Sequence, residues 1–178
     1  SIYSTYEAFA ALKDDGSVVT WGDDDEGGDS SSVSGELSSG VSKIFSTTEA
    51  FAALKDDGSV VTWGKQFYGA DSSSVAREIS SGVSQIFSND RAFAALKDDG
   101  SVVTWGRYGG DSSSVSSQLS SGVTQIFSTN SAFAALKDDG SVITWGEHGG
   151  DSSSVSSQLS SGVTQIFSTD SAFAALKE

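Results

Sequence analysis

Apolar residues occur along the chain in short runs, separated by stretches rich in Ser, Gly and Asp. In one representative stretch, residues 43–46, 50–55 and 59–63 each carry the pattern of a short strand. The last of these is rich in β-branched and aromatic residues, which are typical of strands. Asp57-Gly58 is a strong hairpin signal, because Gly adopts positive φ freely. The pattern therefore predicts three consecutive strands, the last two of which form a hairpin.

The second predicted strand is apolar on both faces. Phe51 and Ala53 point to one side, whereas Ala50, Ala52 and Leu54 point to the other. A strand that is apolar on both sides has to be covered on both sides. One unit of three strands cannot cover itself, so we expect neighbouring units to stack face to face. The small Ala side chains would let the stacked sheets approach closely.

The whole pattern recurs along the chain. The string Ala-Phe-Ala-Ala-Leu-Lys begins at Ala8, Ala50, Ala92, Ala132 and Ala172, with steps of 42, 42, 40 and 40 residues. The step changes in one place only, between the Trp-Gly pair and the next conserved Asp, which indicates a surface loop. We therefore predict one array of repeats, with a partial last copy, over residues 1–42, 43–84, 85–124, 125–164 and 165–178.

A Ser-rich segment follows each hairpin. Val75 and Ile79 lie four positions apart in the second repeat, which places them on one face of a helix. Asp71 or a following Ser can cap the start of this helix, and Gly82 is typical of its end. A helix of about two turns is not stable alone. We therefore predict a short capped helix, not a flexible linker, that packs on the sheets through its two apolar residues.

The predicted core repeats with the array. A Trp that ends the third strand of every repeat can stack on sugars, but packing between units is the favoured interpretation. The expected core consists of the Phe and Leu of each second strand and the Trp of each third strand: Phe9, Leu12, Trp21, Phe51, Leu54, Trp63, Phe93, Leu96, Trp105, Phe133, Leu136 and Trp145.

The two ends of the chain bear on whether the array closes. Residues 165–177 duplicate residues 1–13, so the first two strands of a repeat occur once more than the full repeats do. A closed ring of four would leave one copy surplus, whereas an open stack uses every copy. We predict a mainly β protein with short helices, built as tandem β-β-β-α repeats in an open superhelical array of propeller-like blades. The alternative is a closed four-bladed propeller whose extra hairpin is frayed or swapped.

The hairpin over residues 54–64, Leu-Lys-Asp-Asp-Gly-Ser-Val-Val-Thr-Trp-Gly, resembles the core of the regulator-of-chromosome-condensation repeat family. The Gly-Gly-Asp-Ser-Ser-Ser after Tyr108 and the strand over residues 122–126 are similar to the next steps of that repeat. The resemblance extends over nearly the whole chain and implies blade-type sheets of a propeller. The units are shorter and fewer than in the family, and a helix stands where a fourth strand is expected. The family's nucleotide-exchange activity is therefore not carried over.

Charge and composition narrow the function classes. The 24 Asp and Glu against ten Lys and Arg give a net charge of −14, which disfavours nucleic acid and anionic membranes as partners. No stretch approaches the length of a membrane span. The chain has no Cys, so disulfides and thiolate metal sites are excluded. It also lacks Met and opens with Ser1-Ile2-Tyr3, so we expect a processed or excised piece of a longer chain.

Catalytic chemistry is weakly represented. His148 is the only His and lies in a loop where other repeats carry Asp, Lys or Arg, so an exposed loop residue is the favoured interpretation over a hydrolytic base. Paired carboxylates such as Asp56-Asp57 recur, but in a Lys-Asp-Asp-Gly-Ser hairpin they are turn residues first. The acidic run over residues 23–29 is a loose match to a calcium loop, and a solvated loop is favoured there. We expect no catalytic residue, no cofactor and no metal site.

Any binding face should lie in the variable loops that follow each Trp-Gly pair, because a rigid scaffold with varied loops is the usual arrangement for recognition. The candidate ligand-binding residues there are Phe67, Tyr68, Tyr108 and His148. We expect a structural scaffold that self-assembles through stacked units, with copies of itself or flanking repeats of a longer chain as partners, outside the cell or on its surface. The alternatives are a lectin-like or protein-binding module that uses these loops and, as a third option, a hydrolase.

Overall fold

The structure is a computed structural model that describes residues 1–178. Its strands form four three-stranded antiparallel sheets and one two-stranded sheet, which confirms the predicted mainly β tandem array. We name the sheets unit 1 (β1–β3), unit 2 (β4–β6), unit 3 (β7–β9), unit 4 (β10–β12) and unit 5 (β13–β14). The strands are β1 Ile2–Ser4, β2 Ala8–Leu12, β3 Val18–Gly22, β4 Val41–Ser46, β5 Ala50–Lys55, β6 Val60–Gly64, β7 Val83–Ser88, β8 Ala92–Lys97, β9 Val102–Gly106, β10 Val123–Ser128, β11 Ala132–Lys137, β12 Val142–Gly146, β13 Val163–Ser168 and β14 Phe173–Lys177.

The helical segments are single turns. They are the 3-10 turns Ser31–Val33, Glu36–Ser38, Gln66–Tyr68, Ser73–Val75, Ser113–Val115 and Ser153–Val155, and a π-type turn over Asp24–Gly28. The prediction of short helices is confirmed, but the length of about two α-helical turns is wrong. None of the helices is long and apolar enough to cross a membrane.

Local side-chain hydrogen bonds explain why the Ser-rich helix is so short. Asp71 accepts hydrogen bonds from both the backbone N–H and the hydroxyl of Ser73, and the Ser80 hydroxyl donates to the carbonyl of Arg77. Such bonds offer the backbone an alternative to a regular helix. The apolar side of the segment is as predicted, because Val75 is half-buried and Ile79 is buried.

Units 2 to 4 bury both apolar faces against their neighbours, as expected for the second strand of each unit. Ala8 and Ala10 of unit 1 lie in one cluster with Phe51 and Trp63 of unit 2. The Phe51 and Trp63 rings stack with their centres 5.1 Å apart. The Trp63 indole N–H donates to the Gly27 carbonyl of the preceding loop at 3.1 Å. The same arrangement joins units 2 and 3 and units 3 and 4.

The array is open. The turn after the first strand of each unit carries a backbone N–H that donates to a backbone carbonyl of the equivalent turn in the next unit. These bonds form a ladder from Tyr6 to Thr48, Thr48 to Asp90, Asp90 to Asn130 and Asn130 to Asp170, at 2.9–3.1 Å. No hydrogen bond joins Asp170 back to Tyr6, so the ladder ends at unit 5. The closed four-bladed alternative is therefore wrong, because all five units continue one row and neither terminal unit pairs with the other.

Candidate functional site

Two parts of the surface stand out from the repetitive remainder, and the first is the loop face. This face carries the turns between the first two strands of each unit and the loops after each Trp-Gly pair. At its centre, all five units line a polar cup of about 600 Å³. Its lining consists of Ser, Thr, Asn and Asp side chains together with one aromatic residue, Tyr6. The cup suits water or hydroxyl-bearing ligands more than apolar ones.

Two of the predicted ligand residues, Tyr68 and Tyr108, come together on the loop face through a shared cation. The guanidinium of Arg91 lies 5.1 Å from the ring centre of Tyr68 and 4.8 Å from that of Tyr108. The Lys65 ammonium lies 5.4 Å from the Tyr68 ring, and the Arg107 guanidinium lies 5.0 Å from the Tyr108 ring. We call these five residues the cation–aromatic row. It concentrates positive charge on one part of an acidic protein.

The loops that carry this row are anchored to the edge of the cup. The Thr47 hydroxyl donates to the Tyr68 carbonyl at 2.8 Å, and the Asn89 side-chain amide donates to the Tyr108 carbonyl at 2.8 Å. The backbone of Tyr108 is left-handed, with φ of 53°. These contacts anchor the backbone of Tyr68 and Tyr108 to Thr47 and Asn89, two residues that line the cup.

The other two predicted ligand residues lie apart from the row. Phe67 is 71% exposed and borders a groove that also contains Asp24 and Asp25 of the preceding loop. His148 is exposed in the loop after unit 4, with φ of 28°. The structure therefore brings together two of the four candidates and leaves Phe67 and His148 as separate exposed loop residues.

Sequence reasoning missed the cations of the row. Arg91 lies in the turn after the first strand of unit 3, at a position where the other units carry Glu7, Glu49, Ser131 and Ser171. A single change of charge at a repeated position, beside two loop tyrosines, was the available signal. This signal could not show that Arg91 lies close to Tyr68 and Tyr108, because strands separate the turn from both loops in the sequence.

A negative patch lies at the beginning of the row, between units 1 and 2. Lys65 pairs with Glu49, and the hydrogen bond from this pair raises the pKa of Lys65. Burial raises the pKa of Glu26, and the nearby carboxylates of Glu49 and Glu7 add to the effect. The Glu26 Oε2 atom has no hydrogen-bond partner. Burial also raises the pKa of Asp90 at the cup, although the adjacent Arg91 opposes the shift.

The acidic loop over residues 23–29 uses its carboxylates to shape the backbone. Asp23 accepts from the N–H groups of Asp25 and Glu26 at 3.0 and 3.3 Å, and Asp29 accepts from the N–H of Ser31 at 2.8 Å. No group of three or more His, Cys, Asp or Glu is placed to hold a metal ion. The loop therefore gives no geometric support to a calcium site.

The paired carboxylates of the hairpins also have turn roles. Asp57 accepts from the N–H of Ser59 at 2.9 Å and from its hydroxyl at 2.6 Å. The Ser59 hydroxyl and N–H together hold the pKa of Asp57 below its usual range. The same contacts recur in the hairpins of units 1, 3 and 4.

The second distinct region is the pair of array ends. At the first end, Phe9 is 43% and Trp21 is 44% exposed, whereas the equivalent Phe51 and Trp63 of unit 2 are 0% and 3% exposed. Phe9 and Trp21 were expected in the core, and they still stack on each other at 5.5 Å. They are exposed because none of the five units packs on this face of unit 1. The remaining core candidates are buried, except for Leu12, which is half-buried.

At the other end, unit 5 consists of two strands only. Its outward face presents Leu176, which is 52% exposed, together with the exposed Ala172 and Ala174. The equivalent residues of unit 2, Ala50 and Ala52, are fully buried by unit 3. Both ends of the array therefore carry apolar surface that the interior units bury.

Several solved structures have a fold similar to that of this chain. Human WBSCR16 matches at 20% identity with a TM-score of 0.52, over 83% of this chain and 47% of that one. Yeast RCC1 (Prp20) bound to Kap60 matches at 18% identity with a TM-score of 0.54, over 82% and 43%. The ectodomain of the Physcomitrella patens receptor kinase CR4 matches at 14% identity with a TM-score of 0.53, over 95% and 44%.

These likenesses show a propeller-type repeat fold. The chain spans less than half the length of each of these three proteins. No protein-family model matches the sequence. No curated protein matches it either.

Proposed function

We propose that this protein is a non-enzymatic repeat scaffold that associates with copies of itself through the two open ends of its array. The exposed aromatic face of unit 1 carries this proposal. Phe9, Val19 and Trp21 are all exposed there, although the same face is covered at each interface inside the chain. Exposed apolar patches of this kind commonly mark interaction surfaces.

The geometry of such a contact follows from the array. The two ends are different surfaces, so a contact between them is head-to-tail. Contacts of this type produce a ring if the rotation closes and a filament if it does not. Full burial of an aromatic or large aliphatic side chain contributes about 1.5–3 kcal/mol, so several such side chains give each end a substantial driving force.

Sedimentation velocity over a wide concentration range tests the proposal. We expect the average sedimentation coefficient to rise with concentration, because the ends would associate by mass action. Val19→Lys places a charge on the unit 1 face and should suppress this rise. Phe67→Lys changes an apolar loop residue that is 71% exposed and lies away from both ends, and it should leave the rise intact. A wild-type protein that stays monomeric at every concentration would contradict the proposal.

An acidic surface is consistent with this role, because like charge opposes non-specific contact and leaves association to the apolar ends. We propose an extracellular or surface location, for which the near-identical repeats and the acidity are the support. The proposed function includes no catalytic step.

The cation–aromatic row supports a second candidate function, a binding module for a protein or carbohydrate ligand. Arg91 is held between two tyrosine rings beside a polar cup, and aromatic and Arg side chains are enriched in recognition surfaces. One structural neighbour, yeast RCC1 (Prp20), is seen bound to Kap60, and Prp20p has been studied for its binding to Gsp1p and histones. Protein partners are therefore a reasonable class to test.

A glycan array and pull-down experiments, each with wild type and Tyr108→Ala, address this candidate. If the row binds a ligand, the variant loses the hits that wild type gives. Phe67→Ala serves as the matched control, because Phe67 is aromatic and on a loop but lies outside the row. If wild type gives no hits on the array and the pull-downs are unchanged in Tyr108→Ala, the row has no such role.

A further inference from the structure

The three interfaces between the three-stranded units share one hydrogen bond. At each of them, a Trp indole N–H donates to the carbonyl of a loop glycine in the preceding unit. The pairs are Trp63 with Gly27 at 3.1 Å, Trp105 with Gly69 at 3.0 Å and Trp145 with Gly109 at 3.0 Å. The three glycines are buried. The bond therefore forms where one unit packs fully on the unit before it.

The two ends of the array each carry one half of this bond. Trp21 is the remaining Trp, and its indole N–H has no acceptor within the chain. Gly149 is the equivalent loop glycine after unit 4; it is exposed, and no indole donates to its carbonyl. A donor without an acceptor and an acceptor without a donor thus lie at opposite ends of the molecule, on surfaces that match at every internal interface.

A cavity lies next to Gly149. It has a volume of about 450 Å³ and an apolar lining that includes Val142, Leu159, Ile166 and Phe173. At internal interfaces, the third strand of the following unit brings its Trp to this position. Unit 5 has no third strand, so the cavity stays open beside the β13–β14 hairpin.

The β13–β14 hairpin is held less firmly than the units inside the array. No residue of β14 is buried, and Phe173 is only half-buried, although its equivalents Phe93 and Phe133 are fully buried. In β13, only Val163 and Ile166 are buried. Elements with few buried apolar contacts are the ones that open first. The hairpin buries Ala132, Ala134 and Leu136 of unit 4, but it leaves Leu159 half-buried and Val155 44% exposed, so its cover of unit 4 is incomplete at the Ser-rich segment.

Unit 1 carries the same second-strand residues as this hairpin, together with the third strand that the hairpin lacks. The string Ala-Phe-Ala-Ala-Leu-Lys begins both at Ala8 and at Ala172. In unit 1, β3 adds Val19 and Trp21 to the same face. A unit 1 seated on unit 4 would thus repeat the Phe and Trp contacts of the internal interfaces; it has no counterpart of Val163, because Ile2 in β1 is the equivalent of Ile166.

We propose that unit 1 of a second copy seats on unit 4 in place of the β13–β14 hairpin. Phe9 of the second copy takes the position of Phe173, and Trp21 fills the cavity and donates to the Gly149 carbonyl. The hairpin acts as a partial cover that the second copy displaces, in the manner of a domain swap. This inference rests on the proposed self-association and specifies the surface on which it occurs.

One matched pair of variants tests the inference, because Phe9 and Phe173 are the same residue at the same repeat position. Phe173→Asp loosens the hairpin from unit 4 and should strengthen association by about tenfold or more, since less has to be displaced. Phe9→Asp removes an aromatic anchor and should weaken association by about thirtyfold or more, as for an interface hot spot. Sedimentation velocity at matched concentrations measures both, and circular dichroism checks that the array stays folded.

Leu176→Glu separates this mode from simple stacking on the outward face of unit 5. Displacement predicts that Leu176→Glu leaves association unchanged or strengthens it, because that face is not used. If wild type associates, Leu176→Glu abolishes association and Phe173→Asp does not strengthen it, the inference is overturned and the proposed function stands. If neither wild type nor Phe173→Asp associates, both fail. If only Phe173→Asp associates, the surface is correct and the hairpin blocks it in the wild-type protein.

Trp21→Phe keeps an aromatic ring at an exposed site and removes the indole N–H together with part of the ring area, so the fold is not at risk. We expect it to weaken association severalfold if the bond to Gly149 forms. Association as tight as that of the wild type would contradict this bond and with it the seating on unit 4.

Discussion

Unit 1 and unit 2 contain the same string, Ala-Phe-Ala-Ala-Leu-Lys, yet its aromatic face has two different environments. In unit 2, Phe51 stacks on Trp63 beneath unit 1, and both are buried. In unit 1, Phe9 stacks on Trp21 in the same way, but nothing covers them. The internal geometry of a unit is thus set by its own sequence, whereas its burial is set by its neighbour.

The difference shows how stability and recognition divide in a repeat array. A residue that stabilises the interior is the same residue that offers an interaction surface at the end. Function at the ends therefore needs no special motif, and the repeated residues themselves supply it.

The largest expected contrast is between Phe93→Ala and Phe9→Ala. Loss of a fully buried Phe leaves a cavity and should lower the free energy of unfolding by about 3–5 kcal/mol. Phe9 is already half-exposed, so the same change should cost about 1 kcal/mol or less. Urea unfolding measures both. Equal losses would break the comparison, because they would mean that the neighbouring unit contributes little to burial.

A second contrast concerns glycines of the loop face and the Ser-rich segment. A Cβ at Gly27 would lie 2.6 Å from Cδ2 of Phe51, and Gly27 has φ of 106°. Gly27→Ala should therefore destabilise the interface of units 1 and 2 by about 1–3 kcal/mol. Gly35 has nothing within 4 Å of the same position and a negative φ, so Gly35→Ala should be nearly neutral. The midpoint of thermal unfolding compares the two variants.

The indole bond gives a smaller contrast. Trp105→Phe leaves the Gly69 carbonyl without its donor and should cost at least about 1 kcal/mol. Trp21→Phe removes no internal bond and should change the unfolding free energy of the monomer by only a few tenths of a kcal/mol at most. Urea unfolding at low protein concentration avoids any contribution from association. A loss in Trp21→Phe as large as in Trp105→Phe would show that the terminal Trp has a partner within the chain.

The hairpin aspartates of units 1 and 2 should contribute equally to the pH dependence of stability. Hydrogen bonds from Ser17 and Ser59 hold the pKa of Asp15 and Asp57 below their usual range in the folded protein. A lowered pKa contributes stability that is present above the unfolded pKa of about 3.9 and is lost as the pH falls through the folded value. We expect Asp15→Asn and Asp57→Asn to reduce this acid sensitivity equally. Unfolding curves between neutral and acidic pH measure it, and unequal effects would show that the turn contact depends on neighbouring units.

Much of the fold could be predicted from the sequence. The hairpin signal at Asp57-Gly58 and the two apolar faces of β5 fixed the strands and required stacked units. The helix type was not predictable from the four-residue spacing of Val75 and Ile79, because Asp71 and Ser73 compete for the backbone through their side chains. The spacing nevertheless identified the correct apolar side.

The site was predictable only in part. Tyr68 and Tyr108 were found because their loops vary between repeats, but Arg91 joins them from a turn that is distant in the sequence. The exposure of Phe9 and Trp21 could not be inferred from a repeat in which identical residues are core elsewhere. Each depends on which parts of the chain become neighbours, and local patterns do not carry that information.

Fluorine NMR of the protein labelled with 5-fluorotryptophan tests the central claim most directly. The chain has four Trp, so it should give four resonances, and Trp21→Phe assigns the one that belongs to the end of the array. We predict that the Trp21 resonance moves from a solvent-exposed to a buried environment as the concentration rises, while Trp63, Trp105 and Trp145 stay buried throughout. A Trp21 resonance that stays solvent-exposed at every concentration would contradict the claim that the ends of this array are complementary surfaces.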